Sequence, residues 1–482
     1  MVENQNTEDQ IVEDLATEEV AAQTTSEAVV AESKYTGFLG KVDNYFGITK
    51  MGSSFKTEIL AGITTFMTMV YILLANSGMF VDAGVPFGAI YIVTALSAIV
   101  GTLLMAFLAK LPFAQAPGMG LNAFFCYTLC LGMGYSYANA LLIVLCSGVL
   151  FLLLTLVGAR RAIVRSVPAA IRLAIPAGIG LFIAFIGMNN ANIVVLDMGT
   201  KVNLISFNVL NFSVPGPMMI GAAVAILGLI LIAVLAKLKV KASIVLGILG
   251  AAILYYAFLG IGAATGSDAC IAVFKSISLS NPFTAFKEFG TESVGQVFVK
   301  GFKGIGGDKI FDFIAAMVAF AMVDMFDTIG TLMGTCQAAG KESGLIDEDG
   351  EVKNIQKALL CDSIATCTGA ILGTSTVTTF VESASGVSEG GRTGLTALVV
   401  GICFFIAMFL SPIAQLIPSC ATASALIYVG ILMMRNVVDI DWKDPAAAVP
   451  AFLTIAVMPF CYSISYGIAA GFISYLLIKL CT

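Results

Sequence analysis

Four carboxylates stand inside stretches that are otherwise apolar: Asp324, Asp327, Asp362 and Glu382. Ionisable residues in such surroundings are costly, and those that persist pair with one another or mark a substrate or proton path. Asp324 and Asp327 are three residues apart and share one helix face. A carboxyl group taken out of water favours its neutral form, which brings proton exchange toward physiological pH. The chain has no histidine, so any proton chemistry falls to these acids. Each keeps a structural alternative, a bond to a helix end or to a hydroxyl. Glu58, at the head of the first apolar block, reads as a favourable charge at a helix N-terminus. Asn122 follows a Pro-Gly break, and either holds a polar ligand or steadies the broken backbone.

Other patterns carry less. Cysteines such as Cys126, Cys146, Cys367 and Cys403 lie in apolar sequence with no CxxC pair, and read as small buried hydrophobes. The glycine-rich run Gly301–Gly307 lacks the Gly-Lys-Ser/Thr ending of a phosphate loop. Asp347–Gly350 is short of the ligands a calcium loop needs. No metal site, cofactor or nucleic-acid partner is expected.

The elements that must position the acids are membrane spans. The chain has 482 residues, 58% hydrophobic and 12% charged, against roughly 45–50% and 25% in soluble domains. A helix crosses a bilayer with about 20 apolar residues. Fourteen candidate spans follow: 59–81, 87–108, 113–133, 138–158, 171–189, 216–236 and 242–264, then 311–338, 356–373, 375–390, 394–411, 413–434, 447–462 and 464–480. Residues 1–33 hold nine acids and no base, which predicts a disordered tail. Without those nine, 22 acids face 25 bases, so the membrane part is slightly basic.

Positive charge orients the spans. With the N-terminus placed in the cytoplasm, 18 of the 25 bases fall in inside loops, among them Lys110, Arg160, Arg161, Arg165, Arg172, Lys241, Arg392 and Arg435. The outside loops hold Lys201 and five lysines of the long connection 265–310, where the positive-inside rule binds weakly. A multi-pass protein of the cell membrane with both termini cytoplasmic is therefore expected.

Two spans are interrupted. Pro112–Asn122 places two prolines and two glycines where a helix should continue, and Thr374–Glu382 is a β-branched, hydroxyl-rich run ending on an acid. Each predicts a short extended piece followed by a helix start. Such backbone must be buried in protein or line a cavity. They are the third spans of two successive sets of seven, and an odd number of crossings makes the two sets inverted. Paired breaks of this kind point to a transporter's substrate site.

At these segments the sequence resembles the AzgA-like hypoxanthine/adenine/guanine permeases, a branch of the nucleobase–cation symporters. The matching stretches are Thr57–Phe66, Ala116–Phe124, Asp324–Thr331, Glu382–Leu395 and the ending around Ile440-Asp-Trp442, over about residue 45 to the C-terminus. One departure is Asn76-Ser77, where the family has Asn-Pro. The resemblance implies a uracil-permease-like, all-α fold of two inverted seven-span repeats. The core domain would be 51–158 and 311–411. The gate domain would be 159–264 and 412–482, with 1–50 as tail and membrane approach.

The resemblance also implies a purine base between spans three and ten, with Asn122, Asp327 and Glu382 on the family's binding positions. Gly118 and Thr376, in the interrupted segments, join the expected substrate set. Phe380 or Phe125 either stacks on the base or faces core or lipid. Proton coupling is expected at Asp327, Glu382 or Asp324. The implied activity is proton-coupled import of purine nucleobases, with the proton and the bilayer as partners and a homodimer as a candidate assembly. Two other readings compete. An anion carrier of the same fold fits poorly with acids at the site. An intramembrane aspartyl protease needs a Gly-x-Gly-Asp partner motif that the chain lacks.

Overall fold

The computed structural model describes residues 35–158, 167–207, 216–276, 282–304, 309–340, 343–347 and 352–482. The acidic segment 1–33, with Arg160, Arg161 and Arg165, lies outside the described residues.

Backbone in lipid has to bond to itself, so long apolar blocks become helices. Nine helices among the described residues are long and apolar enough to cross a membrane: Phe55–Asp82, Phe87–Ala109, Tyr137–Leu156, Ala169–Asn190, Gly216–Lys237, Ser243–Ala264, Ile355–Leu372, Ser419–Asp439 and Ile464–Cys481. Shorter apolar helices cover Met119–Gly132, Gly394–Met408 and Pro445–Phe460. Asp324 and Asp327 ride on the long helix Ile310–Ala339. Several starts carry their own caps: Ser54 accepts from Thr57 N–H, and Ser136 and Asn139 form a capping box. The block expected at 413–434 divides, because Pro418 fixes the residue that precedes the helix Ser419–Met433.

The helices sort into two packing groups. In one, Phe87–Leu104 packs on Gly394–Met408 and Ile355–Leu372, with Phe55–Met69, Tyr137–Leu156 and Ile310–Ala339 around them. In the other, Ala169–Asn190 packs on Ser419–Met433 and Pro445–Phe460, flanked by Gly216–Lys237, Ser243–Ala264 and Ile464–Cys481. Small residues set how close helices come. A Cβ on Gly430 would lie 2.4 Å from the Gly180 carbonyl oxygen, so those two backbones meet directly.

Both interrupted segments are extended, as their residues require. The strand Gln115–Pro117 runs antiparallel to Val377–Thr379, with Gln115 opposite Thr379 and Pro117 opposite Val377. Each strand leads into a helix, Met119–Ala123 and Ser383–Ser388. At Asn76-Ser77 the helix Ile72–Asp82 runs on unbroken, and the Ser77 hydroxyl donates to Leu73 O at 2.6 Å.

Candidate functional site

The strand pair is sealed by polar side chains from the helices behind it. Thr102 Oγ1 donates to Gln115 O and accepts from Gln115 N–H, both at 3.0 Å. Thr366 Oγ1 serves Val377 in the same way, accepting from its N–H at 3.3 Å and donating to its carbonyl at 3.2 Å. Asp362 accepts from Thr328 Oγ1 at 2.8 Å and from the Gln115 amide at 3.4 Å. The same Thr366 hydroxyl proton is shared with Asp324, whose Oδ2 lies 3.3 Å from Oγ1. Asn76 donates to Thr94 and Thr374. Two of the four intramembrane acids, Asp324 and Asp362, are thus built into the scaffold. Buried polar groups tied this way hold one backbone arrangement.

In front of the strands lies a cavity of about 570 Å³, inside the usual range for small-molecule sites. Asp327, Glu382, Phe380 and Gly118 line it, together with Thr68, Tyr71, Thr378 and Ser385. Asp327 Oδ2 accepts from Thr378 Oγ1 at 3.1 Å, and Glu382 Oε1 accepts from the Tyr71 hydroxyl at 2.6 Å. Each acid therefore has one oxygen engaged by a neighbouring hydroxyl. The Glu382 carbonyl is held separately, by Ser385 Oγ at 2.6 Å. Ionised carboxylates are acceptors only, which suits a ligand presenting N–H groups.

Not every expected residue reaches this cavity. Asn122 is fully buried and lies outside the lining. Its amide donates to Pro117 O at 3.3 Å, and its carbonyl accepts from Ser375 Oγ. It ties the two interrupted segments together, which is the steadying alternative. Thr376 and Asp324 are also buried away from the lining; Thr376 gives its carbonyl to Gly118 N–H at 3.1 Å. Of the two phenylalanines, Phe380 faces the cavity, whereas Phe125 stacks on Phe80 with ring centres 5.0 Å apart. Glu58 is more than a favourable charge. It is fully buried and accepts from Arg392 N–H, Thr393 N–H, Thr393 Oγ1 and Thr396 Oγ1 at 2.6–3.3 Å, joining the first helix to the turn before Gly394–Met408.

Tyr71, Thr68 and Thr378 were not singled out by the sequence. Tyr71 is 311 positions from its partner Glu382, and only its polar hydroxyl in an apolar block hints at a role.

The cavity reaches toward one end of the molecule, where Ser243, Thr335, Met433 and Arg435 contribute to its wall. At the other end the two packing groups are joined. Thr128 donates to Tyr462 O at 2.9 Å and Asn190 donates to the Tyr127 hydroxyl at 3.5 Å, while each tyrosine is steadied within its own group, Tyr127 donating to Asp82 Oδ2 at 2.7 Å and the Tyr462 hydroxyl accepting from Asn189 at 2.6 Å. The Tyr462 ring packs against Tyr127, Phe182 and Phe185.

Residues 56–470 match the family profile Xan_ur_permease, described as "Permease family". The chain is 41% identical to the permease MJ0326 of Methanocaldococcus jannaschii, covering 92% of this chain and 93% of that one. It is 39% identical to the guanine/hypoxanthine permease PbuO of Bacillus subtilis, over 90% and 94% of the two chains. With the adenine permease AdeP of Escherichia coli it shares 37% identity over 92% and 91%. Among solved structures, the transmembrane domain of the cyanobacterial bicarbonate transporter BicA superposes with a TM-score of 0.58 at 13% identity, over 86% of this chain and 97% of that one. Murine Slc26a9, an anion transporter in its inward-facing state, gives 0.58 at 12% identity, over 96% and 75%. These last two likenesses establish the fold alone.

Proposed function

The chain belongs to the Permease family, and from that premise we propose that it imports purine nucleobases such as hypoxanthine, guanine and adenine by proton symport. It is a membrane transporter and not an enzyme. One observation carries the substrate reading: Asp327, on Ile310–Ala339, and Glu382, at the head of Ser383–Ser388, line a single cavity against the paired strands. A purine's ring N–H groups match carboxylate acceptors, and Phe380 supplies a ring face on the cavity wall. The names of the relatives PbuO and AdeP point to the same substrates.

In this reading fourteen spans form two inverted seven-span repeats. The antiparallel pairing of one interrupted segment from each half supports that symmetry. Residues 51–158 and 311–411 make a core, residues 159–264 and 412–482 a gate, and both termini are cytoplasmic. The contacts of Tyr462 with Thr128 and Tyr127 then close the outer side, while the cavity extends toward the inner end. Transport alternates by breaking those contacts as the inner ones form. A base and a proton bound together leave the site nearer neutral, and a neutral site is cheaper to occlude between apolar walls. Asp327 is the favoured proton site, with Glu382 the runner-up.

A carrier of small anions is the competing reading, because BicA and Slc26a9 share the fold. The paired acids in the cavity oppose it. Uptake of labelled hypoxanthine into liposomes under an inward proton gradient tests the proposal. Saturable uptake abolished by a protonophore and indifferent to bicarbonate and sulfate is expected. Competition by those anions, with no purine uptake, overturns it.

A further inference from the structure

We propose that Tyr71 is a positioning residue of the substrate site. Its hydroxyl fixes the Glu382 carboxylate and commits one of the two oxygens, so that the other is the one offered to a ligand. The inference rests on the cavity being the purine site.

The local backbone explains how Tyr71 comes to be there. The first crossing helix is interrupted between Phe55–Met69 and Ile72–Asp82, with Val70 and Tyr71 in the turn between them. One turn earlier, Thr68 Oγ1 lies 2.8 Å from Thr65 O and 2.9 Å from Ser385 Oγ. This draws the turn against the short helix that follows Glu382. Tyr71 is 1% exposed and among the largest fully buried side chains, so packing leaves its ring little freedom. Its hydroxyl oxygen ends 2.6 Å from Glu382 Oε1. Among the described residues, no other side chain is hydrogen-bonded to that carboxylate.

A bond of this length to an ionised acceptor belongs to the stronger class. It does two things for binding. It holds a side chain that has three rotatable bonds in one orientation before the ligand arrives, which removes an ordering cost from the binding step. It also reduces a two-oxygen acceptor to one ligand-facing oxygen, so the site presents a single directed acceptor at this corner. Asp327 is matched in kind, with Oδ2 engaged by Thr378. A purine is then gripped at two defined points on separate helices, and its orientation follows from their geometry.

The test is a double-mutant cycle on full-length protein in liposomes, with labelled hypoxanthine and a fixed proton gradient. Tyr71→Phe keeps the buried ring and removes the hydroxyl. The expected result is a KM raised about three- to tenfold, the ordering cost that falls on the binding step once the carboxylate is no longer held. The maximal rate per carrier should stay within about twofold, a split that a general packing defect does not produce. In a Glu382→Gln background the same change should add no further rise in KM, and should lower it as the freed amide turns its oxygen toward the ligand, because the effect runs through that side chain. KM does not depend on how much carrier survives purification, so a modest loss of folded protein leaves the comparison intact. An unchanged KM in Tyr71→Phe overturns the inference, as does an equal rise in both backgrounds. Both outcomes leave the substrate reading standing if wild-type uptake saturates. Wild-type vesicles without saturable purine uptake overturn that reading, and this inference with it.

Discussion

Glu382→Gln separates a binding acid from a structural one. The substitution keeps the shape and exchanges one acceptor oxygen for an NH2 donor. The Tyr71 hydroxyl still finds an acceptor, because the amide carbonyl can take the place of Oε1 at 2.6 Å. That contact orients the amide and turns its NH2 toward the cavity, where a purine N–H needs an acceptor. The loss is thus one charged hydrogen bond, about 1.5–3 kcal/mol, or roughly 10- to 150-fold in affinity. Two donors facing each other push the result toward the upper end. Equilibrium binding of labelled hypoxanthine to purified protein reads this without a transport cycle. Asp362→Asn is the matched control: Asp362 is fully buried, bonded to Thr328 and Gln115, and outside the cavity lining. It should lower the yield of folded protein and leave the affinity of what folds within about threefold, far short of one lost charged hydrogen bond. Near-normal affinity in monodisperse Glu382→Gln protein would refute the assignment.

Asp327→Asn should abolish accumulation of purine against a gradient while still permitting exchange across the membrane. Wild-type uptake should rise as external pH falls, since protons then drive inward symport; uptake that follows sodium and ignores protonophores contradicts the coupling. Glu58→Ala leaves two N–H groups and two hydroxyls without their buried acceptor. A destabilisation of about 3–5 kcal/mol is expected, visible as a clear drop in the temperature at which the detergent-solubilised protein aggregates; an unshifted transition argues against the clasp. For topology, a single cysteine at Lys353, which is exposed, should resist an impermeant thiol reagent on intact cells and react after permeabilisation. Ser343 in the same loop is only 5% exposed and a poor reporter. Labelling of Lys353→Cys from outside would reverse the orientation.

The sequence by itself determined that this is a polytopic membrane protein and that two spans break. Both follow from local physics: apolar length demands helices, and Pro-Gly or β-branched runs such as 112–122 and 374–382 cannot continue them. It also narrowed the chemistry to four intramembrane acids, because a charge in apolar sequence is conspicuous wherever it points. Only the tertiary structure divided those four. Asp324 and Asp327 lie on one helix about 60° apart. That rotation turns one toward Thr366 in the scaffold and the other into the cavity. Asn122 looked like a ligand contact until the second segment brought Ser375 to its amide. Glu58 looked like a lone helix charge until the turn at Arg392 and Thr393 closed over it. Tyr71 offered no more than a hydroxyl in an apolar block, because its meaning lies in a partner that only the crossing of the two halves brings to it. Composition and spacing register the cost of a polar group in lipid, whereas the partner that offsets the cost is chosen by contacts between segments hundreds of residues apart.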